Sequence, residues 1–181
     1  LEPVPGPKPL TFPKEHQRPM SSKNPAPIGV CVIGSGRAGM IHARNFAGRV
    51  PHAELVALVD ARRETVDESC RELGVKAAYT DYRDALADPR VHAVVVVVPT
   101  VLHRDIVVAA AKAGKHVLCE KPMAMNPSEC DEMIAACRAA GVKLQIGFMR
   151  RYDASFMAAR ARLDAGEIGE GVRNGYALRS V

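Results

Sequence analysis

The chain has 181 residues, 48% hydrophobic and 25% charged, a composition ordinary for a globular protein and sufficient for one domain with a real core. The formal charge of +5 is mild, and four Tyr, four Phe and no Trp leave no basic stripe with interleaved aromatics, so no nucleic-acid partner is expected. The longest apolar run, "AVVVVV" at 93–98, has the length of a strand and not of a membrane span, so no membrane partner is expected either.

Residues 1–27 hold eight of the thirteen prolines and almost no apolar periodicity. They read as a disordered extension ahead of a domain that starts at Ile28. From there strands and helices alternate. "IGVCVIG" is a buried strand, followed by a helix from about Ala38 to Ala47. "AELVALVD" (53–60) and "RETVDESCREL" (63–73) are the second strand and helix, the latter stopped by Gly74. "KAAYT" (76–80) is a brief strand, "DYRDALA" (81–87) a short helix, and "HAVVVVVP" (92–99) a central strand apolar at every step. A helix over 103–114 and a strand over 116–121 follow. The next helix is well marked. Asn126 caps it, Pro127 takes the first helical position, and Glu129 can close a capping box. Cys130, Met133, Ile134 and Cys137 form its apolar stripe. "KLQIGF" (143–148) is a sixth strand, and a helix over about 154–165 leads to a last segment, "VRNGYALRSV". Such alternation predicts an α/β fold, a Rossmann-type doubly wound parallel sheet with helices on both faces, over residues 28–148.

The five cysteines are an odd number with no C-x-x-C, which argues for free thiols in a reducing, cytoplasmic compartment and against a zinc site. No metal is expected.

Gly34, Gly36 and Gly39 stand in G-x-G-x-x-G spacing between a strand and a helix, the setting that a dinucleotide fingerprint requires. Gly34 allows the tight turn, Gly36 lets the backbone approach a pyrophosphate, and Gly39 lets helix and strand pack closely. Ser35, Arg37 and Ala38 complete the loop, and the helix start offers free N–H groups to phosphates. Asp60, at the tip of the second strand, can accept hydrogen bonds from the adenosine ribose and would repel a 2′-phosphate, which favours NAD over NADP. Arg62 and Arg63 temper that preference, since a guanidinium could hold such a phosphate. The fourth and fifth strands end in Pro99-Thr100 and Glu120-Lys121-Pro122, so both turns face the same crevice as the glycine loop. An ammonium at Lys121 can hydrogen-bond a substrate hydroxyl and stabilise its developing alkoxide. On position alone a surface lysine is as good a reading.

The glycine loop, Asp60, "VPTVLH" and "CEKPMAMN" together resemble the glucose–fructose oxidoreductase/inositol dehydrogenase (Gfo/Idh/MocA) family over about residues 28–170. "GFMRRYD" and "DAGEIG" are most similar to its inositol 2-dehydrogenase branch. The resemblance implies NAD(P)-dependent oxidation of a ring secondary alcohol in a polyol or sugar, by a homo-oligomer when full-length. It implies Lys121 as the lysine on the substrate hydroxyl and Arg151, with Arg150 the alternative, as a substrate contact. It places Pro99, Thr100 and His103 in the loop beside the nicotinamide half, with Glu120 and Pro122 near it. The plainer readings are a local hydrogen bond at the helix start for His103, and pairing with Asp153 for the two arginines. The family's second domain is a mostly antiparallel sheet that supplies an Asp-x-x-x-His pair with the general base. Residues 149–181 read as its start only, and all six histidines precede Lys121. These 181 residues are therefore expected to bind the dinucleotide with little turnover. The alternative is a dinucleotide-binding or sensing protein of the same fold without chemistry. A weaker one is an NADP-dependent sugar or biliverdin-type reductase.

Overall fold

The computed structural model describes residues 26–167. The expectations for nearly all of the proline-rich extension, and for "VRNGYALRSV" as the first strand of a second domain, lie outside the described residues.

Strands and helices alternate as β1 (Ile28–Ile33), α1 (Arg37–Phe46), β2 (Ala53–Val59), α2 (Arg63–Leu73), β3 (Ala77–Tyr79), α3 (Tyr82–Ala87), β4 (Ala93–Val96), α4 (His103–Lys112), β5 (His116–Cys119), α5 (Pro127–Ala139), β6 (Leu144–Ile146) and α6 (Ala154–Asp164). Short 3₁₀ turns, Thr100–Leu102 and Met149–Tyr152, precede α4 and α6. Every strand pairing is parallel, in the order β3-β2-β1-β4-β5-β6. The sheet thus winds outward twice from its centre, and β1 and β4 are the neighbours where the winding reverses. That reversal opens a crevice at their carboxyl ends, the place where open α/β sheets take ligands.

Alternate residues of one strand face different helices, so the core has two halves. Val30 and Val32 of β1 pack with Met40 and Ala43 of α1 and with Val66 and Cys70 of α2. Cys31 and Ile33 join Leu86 of α3, Val107 of α4 and Met133 of α5 in the other half. With helices over both faces, Val94, Val95 and Val96 of β4 are all buried. This is why that strand is apolar at successive positions.

Helix α5 starts as its sequence indicates. Asn126 Oδ1 accepts the Glu129 N–H at 3.0 Å, and Pro127 occupies the first turn. The return bond differs in detail, since Glu129 Oε2 accepts the N–H of Met125, one residue before the cap, at 3.1 Å. Met133 and Cys137 are buried, but Ile134 is 41% exposed, so the buried stripe is narrower than the spacing implied. All five thiols are free. Burial pushes that of Cys119 up to about 12, which removes it as a nucleophile near neutral pH.

A polar cluster fastens the link from α3 to β4. Asp88 is buried, and its carboxylate accepts the Arg90 N–H at 2.9 Å, the Arg90 guanidinium at 2.6 and 3.0 Å and the Tyr79 hydroxyl at 3.0 Å. Lys115 Nζ donates to the carbonyls of Asp88 and Val91 at 3.2 and 2.7 Å. The hydrogen bond from Arg90 is the largest cause that holds the Asp88 carboxyl well below the usual carboxylate range, against an opposing effect of burial. A carboxyl depressed in the folded state stabilises above its unfolded value, near pH 4, and that stability is lost progressively as the pH falls below it. Asp88→Asn should therefore cost about 2–3 kcal/mol in urea unfolding at pH 7, and the gap to the unaltered chain should narrow at pH 3. A gap that does not change with pH would show that the charge of Asp88 is not what fastens this link.

Candidate functional site

The glycine loop joins β1 to α1 at the carboxyl edge of the sheet. Gly34 has φ +104°, a conformation L side chains rarely adopt, and its N–H bonds the Val59 carbonyl at 2.8 Å. A Cβ at Gly39 would overlap the carbonyl oxygen of Gly34, so the close packing of α1 on the loop excludes any side chain there. Gly36 is different. It is the N-cap of α1 with extended backbone (φ −69°, ψ −177°), and a Cβ there would meet nothing within 4 Å. The space above it is open.

Helix α1 begins without a capping side chain and without an acidic residue in its first turn. Its first N–H groups and the positive end of its dipole therefore face the crevice unopposed. Arg37 and Ala38 in that turn are exposed. Ser35 is buried, and its Oγ is a buried side-chain atom without a hydrogen-bond partner among the described residues. Its backbone N–H donates to Asp60 Oδ2 at 3.0 Å, while Asp60 Oδ1 accepts the Arg62 N–H at 3.0 Å. Asp60 thus ties the end of β2 to the glycine loop. Each carboxylate oxygen keeps capacity for a further donor. The Arg62 side chain is exposed, with its Nε 3.7 Å from Asp60. Arg63 instead pairs with Asp67 one helical turn on, at 2.8 Å, in line with a solvated helix start.

The turn after β5 carries the second half of the site. The strand was expected to run to Lys121, but it ends at Cys119. Glu120 N–H still bonds the Val96 carbonyl at 3.0 Å, and then the chain leaves the ladder, because Pro122 has no N–H to offer. The Lys121–Pro122 bond is cis, and both residues are exposed. β4 is likewise shorter than expected. It stops at Val96, and Pro99 introduces the 3₁₀ turn that places Thr100 above the sheet edge. The sixth strand ends at Ile146, short of the expected Phe148.

Two side chains brace this turn. Glu120 Oε2 accepts the Lys121 N–H at 3.1 Å, and Glu120 Oε1 lies 2.9 Å from His42 Nε2 on α1. His103 corrects the sequence expectation. It is 1% exposed, so it does not open into the crevice beside Thr100. Its Nε2 faces the Val98 carbonyl at 2.9 Å and its Nδ1 faces the carbonyls of Pro122 and Met123 at 3.0 and 3.3 Å. Both ring nitrogens face carbonyl oxygens, of which a neutral imidazole donates to one side only, and the ring packs between the turn after β4 and the turn after β5. The plainer reading is corrected too, since these partners lie outside the start of α4.

Arg150 and Arg151 lie in the 3₁₀ turn before α6. Asp153 is not their partner. Its carboxylate caps α6 by accepting the N–H groups of Ser155 and Phe156 at 3.0 and 3.2 Å. The Arg150 guanidinium instead lies 4.7 Å over the Phe156 ring, and that of Arg151 5.6 Å over Phe148. Both arginines are exposed.

The predicted residues thus fall into linked groups. Gly34, Ser35, Gly36, Gly39 and Asp60 form one, and His103, Glu120, Lys121 and Pro122 another. The contact between Glu120 and His42 joins them. His42 was not among the residues expected at the site. The available signal was its position three residues after Gly39, on the inward face of α1 between buried Met40 and Ala43. A groove of about 480 Å³, lined in part by Gly29, Glu54, Lys76, Arg90 and His92, contains no residue of either group.

Comparison with known proteins bears on these groups. The Gfo/Idh/MocA profile, described as an oxidoreductase family with an NAD-binding Rossmann fold, matches residues 28–148. The chain is 38% identical over 143 residues to a scyllo-inositol 2-dehydrogenase (NAD(+)) of Bacillus subtilis, covering 79% of this chain and 42% of that protein. It is 42% identical over 139 residues to a myo-inositol 2-dehydrogenase of Thermotoga maritima, covering 77% and 41%. The scyllo-inositol dehydrogenase of Lactobacillus casei, solved with bound cofactor NAD(H) and scyllo-inositol, is similar with a TM-score of 0.75 at 34% identity, covering 79% of this chain and 42% of that one. The chain spans about two fifths of the length of the curated relatives it matches.

The loop geometry separates two glycines by experiment. Gly39→Ala should cost about 2–3 kcal/mol or more, because backbone must shift, whereas Gly36→Ala should cost no more than about 1 kcal/mol, the loss of glycine's better N-cap propensity. Thermal and urea unfolding of both variants check this, and equal losses would contradict the packing described here.

Proposed function

This chain belongs to the Gfo/Idh/MocA family of oxidoreductases with an NAD-binding Rossmann fold, and from that premise we propose that its crevice binds NAD for the oxidation of a ring secondary alcohol in an inositol-like polyol. The observation that carries the reading is the meeting of two features at one sheet edge. An uncapped helix start with open space at Gly36 lies beside β1, and a lysine-bearing turn lies beyond β4 on β5.

The residues suit a dinucleotide. The N–H groups of the glycine loop and of Arg37 and Ala38 hold the pyrophosphate, where Gly36 leaves room for it. The orphan Ser35 Oγ gains a polar neighbour when the crevice fills. Asp60 receives the ribose hydroxyls on its remaining lone pairs, and its negative charge disfavours a 2′-phosphate, so NAD is preferred over NADP. Arg62 lies at the rim of this subsite. Pro99, Thr100, Glu120 and Pro122 border the end of the crevice nearest Lys121.

NAD, when bound, supplies the hydride acceptor. The protein's share of the chemistry falls to Lys121. Its ammonium donates a hydrogen bond to the substrate oxygen and stabilises the negative charge that grows there as the C–H bond is lost. Arg151, with Arg150 the alternative, offers guanidinium donors to other hydroxyls of the polyol from the segment after β6. The hydroxyl proton passes to a base outside the described residues, which the family resemblance implies to be a histidine of a second domain. Support for an inositol-like substrate comes from the relatives named above, which act on scyllo- and myo-inositol.

Two variants test this reading. Gly36→Val should still fold, with a loss of about 1 kcal/mol from the poorer N-cap, yet weaken NADH binding, read by fluorescence titration, by roughly tenfold or more, since the side chain fills the phosphate cradle. Lys121→Ala should keep NADH affinity within about twofold and, in a protein that also carries the second domain with its base, lower the rate of NAD reduction with scyllo- or myo-inositol by roughly 10²–10³. Unchanged NADH affinity in the first variant would remove the glycine loop from the binding site. An unchanged rate in the second would favour a binding protein without chemistry.

A further inference from the structure

His42 and Glu120 come from distant elements. His42 lies in the second turn of α1, the helix that opens under the glycine loop, and Glu120 is the first residue past β5. In the sheet β4 separates β5 from β1, so the contact between them spans the carboxyl end of β4 at the crevice. It is short, at 2.9 Å, and its side chains are only 23% and 18% exposed, so water competes weakly for either partner.

The Glu120 carboxylate has little freedom. One oxygen faces the His42 imidazole and the other accepts the backbone N–H of Lys121. On a third side it lies against Gly147, where a Cβ would come within 3.1 Å of its carboxyl carbon. Gly147 is itself fastened, its N–H bonding the Cys119 carbonyl at 2.8 Å. Of these restraints, only the imidazole reaches Glu120 from the helix of the glycine loop.

We propose that His42 is a positioning residue. Through Glu120 it locks the backbone of Lys121 to α1, so that the phosphate-holding helix and the lysine keep one fixed spacing. This inference rests on the reading of Lys121 as the group on the substrate oxygen. The chemistry asks for such a device, because a displacement of about 1 Å between reacting groups can lower a rate roughly a hundredfold. The fold alone does not ensure it, since Lys121 lies on an exposed turn and α1 on the far side of β4. An imidazole suits the role. It is a rigid donor on a helix face, it reaches the carboxylate without a long flexible chain, and it leaves the crevice above it open.

The test compares His42→Leu, which removes the donor, with His42→Gln, which keeps one at similar reach. The first readout is hydrogen exchange of the Lys121 amide in the chain without ligand. It should speed up roughly tenfold in His42→Leu and return to within about threefold of the unaltered rate in His42→Gln. The second is NADH affinity, expected to change less than about twofold in either variant. The third is inositol oxidation by a protein that also carries the second domain with its base, where kcat should fall roughly tenfold in His42→Leu with little change in KM for NAD, and recover in His42→Gln. Unaltered Lys121 exchange in His42→Leu, equal deficits in the two variants, or a loss confined to NADH affinity would overturn the proposal. The exchange readout needs neither NAD nor turnover. A wild-type chain that binds no NADH would therefore end the dehydrogenase reading while the positioning role is still decided. Should His42→Leu fail to fold, Glu120→Ala against Glu120→Gln is read by the same exchange rates, with the same expected order.

Discussion

Backbone N–H groups at the start of α1 point into the crevice with no capping side chain and no acidic residue to answer them. The rest of the site is arranged around that exposed positive end. Gly34 and Gly39 allow the loop to fold back beneath it, and Gly36 keeps the space before it clear. Asp60 closes one flank by accepting the Ser35 N–H. Glu120 closes the other by reaching across β4 to His42. A helix start left open in this way, with glycine at the cap, is less stable than one with a good side-chain cap by about a few tenths of a kcal/mol. Asp81, Asn126 and Asp153 cap α3, α5 and α6, whereas α2 and α4, like α1, begin without a side-chain cap, but each of those two has an acidic residue in its first turn and α1 has none.

Local chemistry was legible from the residues, and tertiary chemistry was not. The glycine loop between strand and helix, the Asn126 cap and the alternation of strands and helices along the chain depend on sequence neighbours, and each was found where it was expected. Strand ends were placed too late at β4, β5 and β6. Val97 and Val98 carry the apolar run past β4, Glu120 and Lys121 follow β5 before Pro122, and Gly147 and Phe148 follow β6, so the residue pattern marks none of these ends sharply. His103 was misplaced because its partners, Val98, Pro122 and Met123, belong to two different turns. Nothing in "VPTVLH" says that the imidazole turns inward. Asp153 invited pairing with adjacent arginines, but a carboxylate at a helix start meets unpaired N–H groups first. His42 was overlooked for a related reason. An inward histidine on an amphipathic helix reads as core until the carboxylate facing it is known.

The described residues thus carry the glycine-loop crevice and, at the same sheet edge, the turn that bears Lys121, with two histidines buttressing that turn from different helices. One acts through a carboxylate and the other through backbone carbonyls. Residues near the end of β6 complete the arrangement. Gly147 rests against Glu120, and the next turn presents Arg150 and Arg151 over aromatic rings.

The decisive observation is a crystal structure of this protein with NAD and an inositol. The expected result has the pyrophosphate over Gly36 and the Lys121 amine within hydrogen-bond reach of a substrate hydroxyl next to the nicotinamide ring. A coenzyme bound elsewhere, or an amine turned toward bulk solvent and remote from that ring, would contradict it.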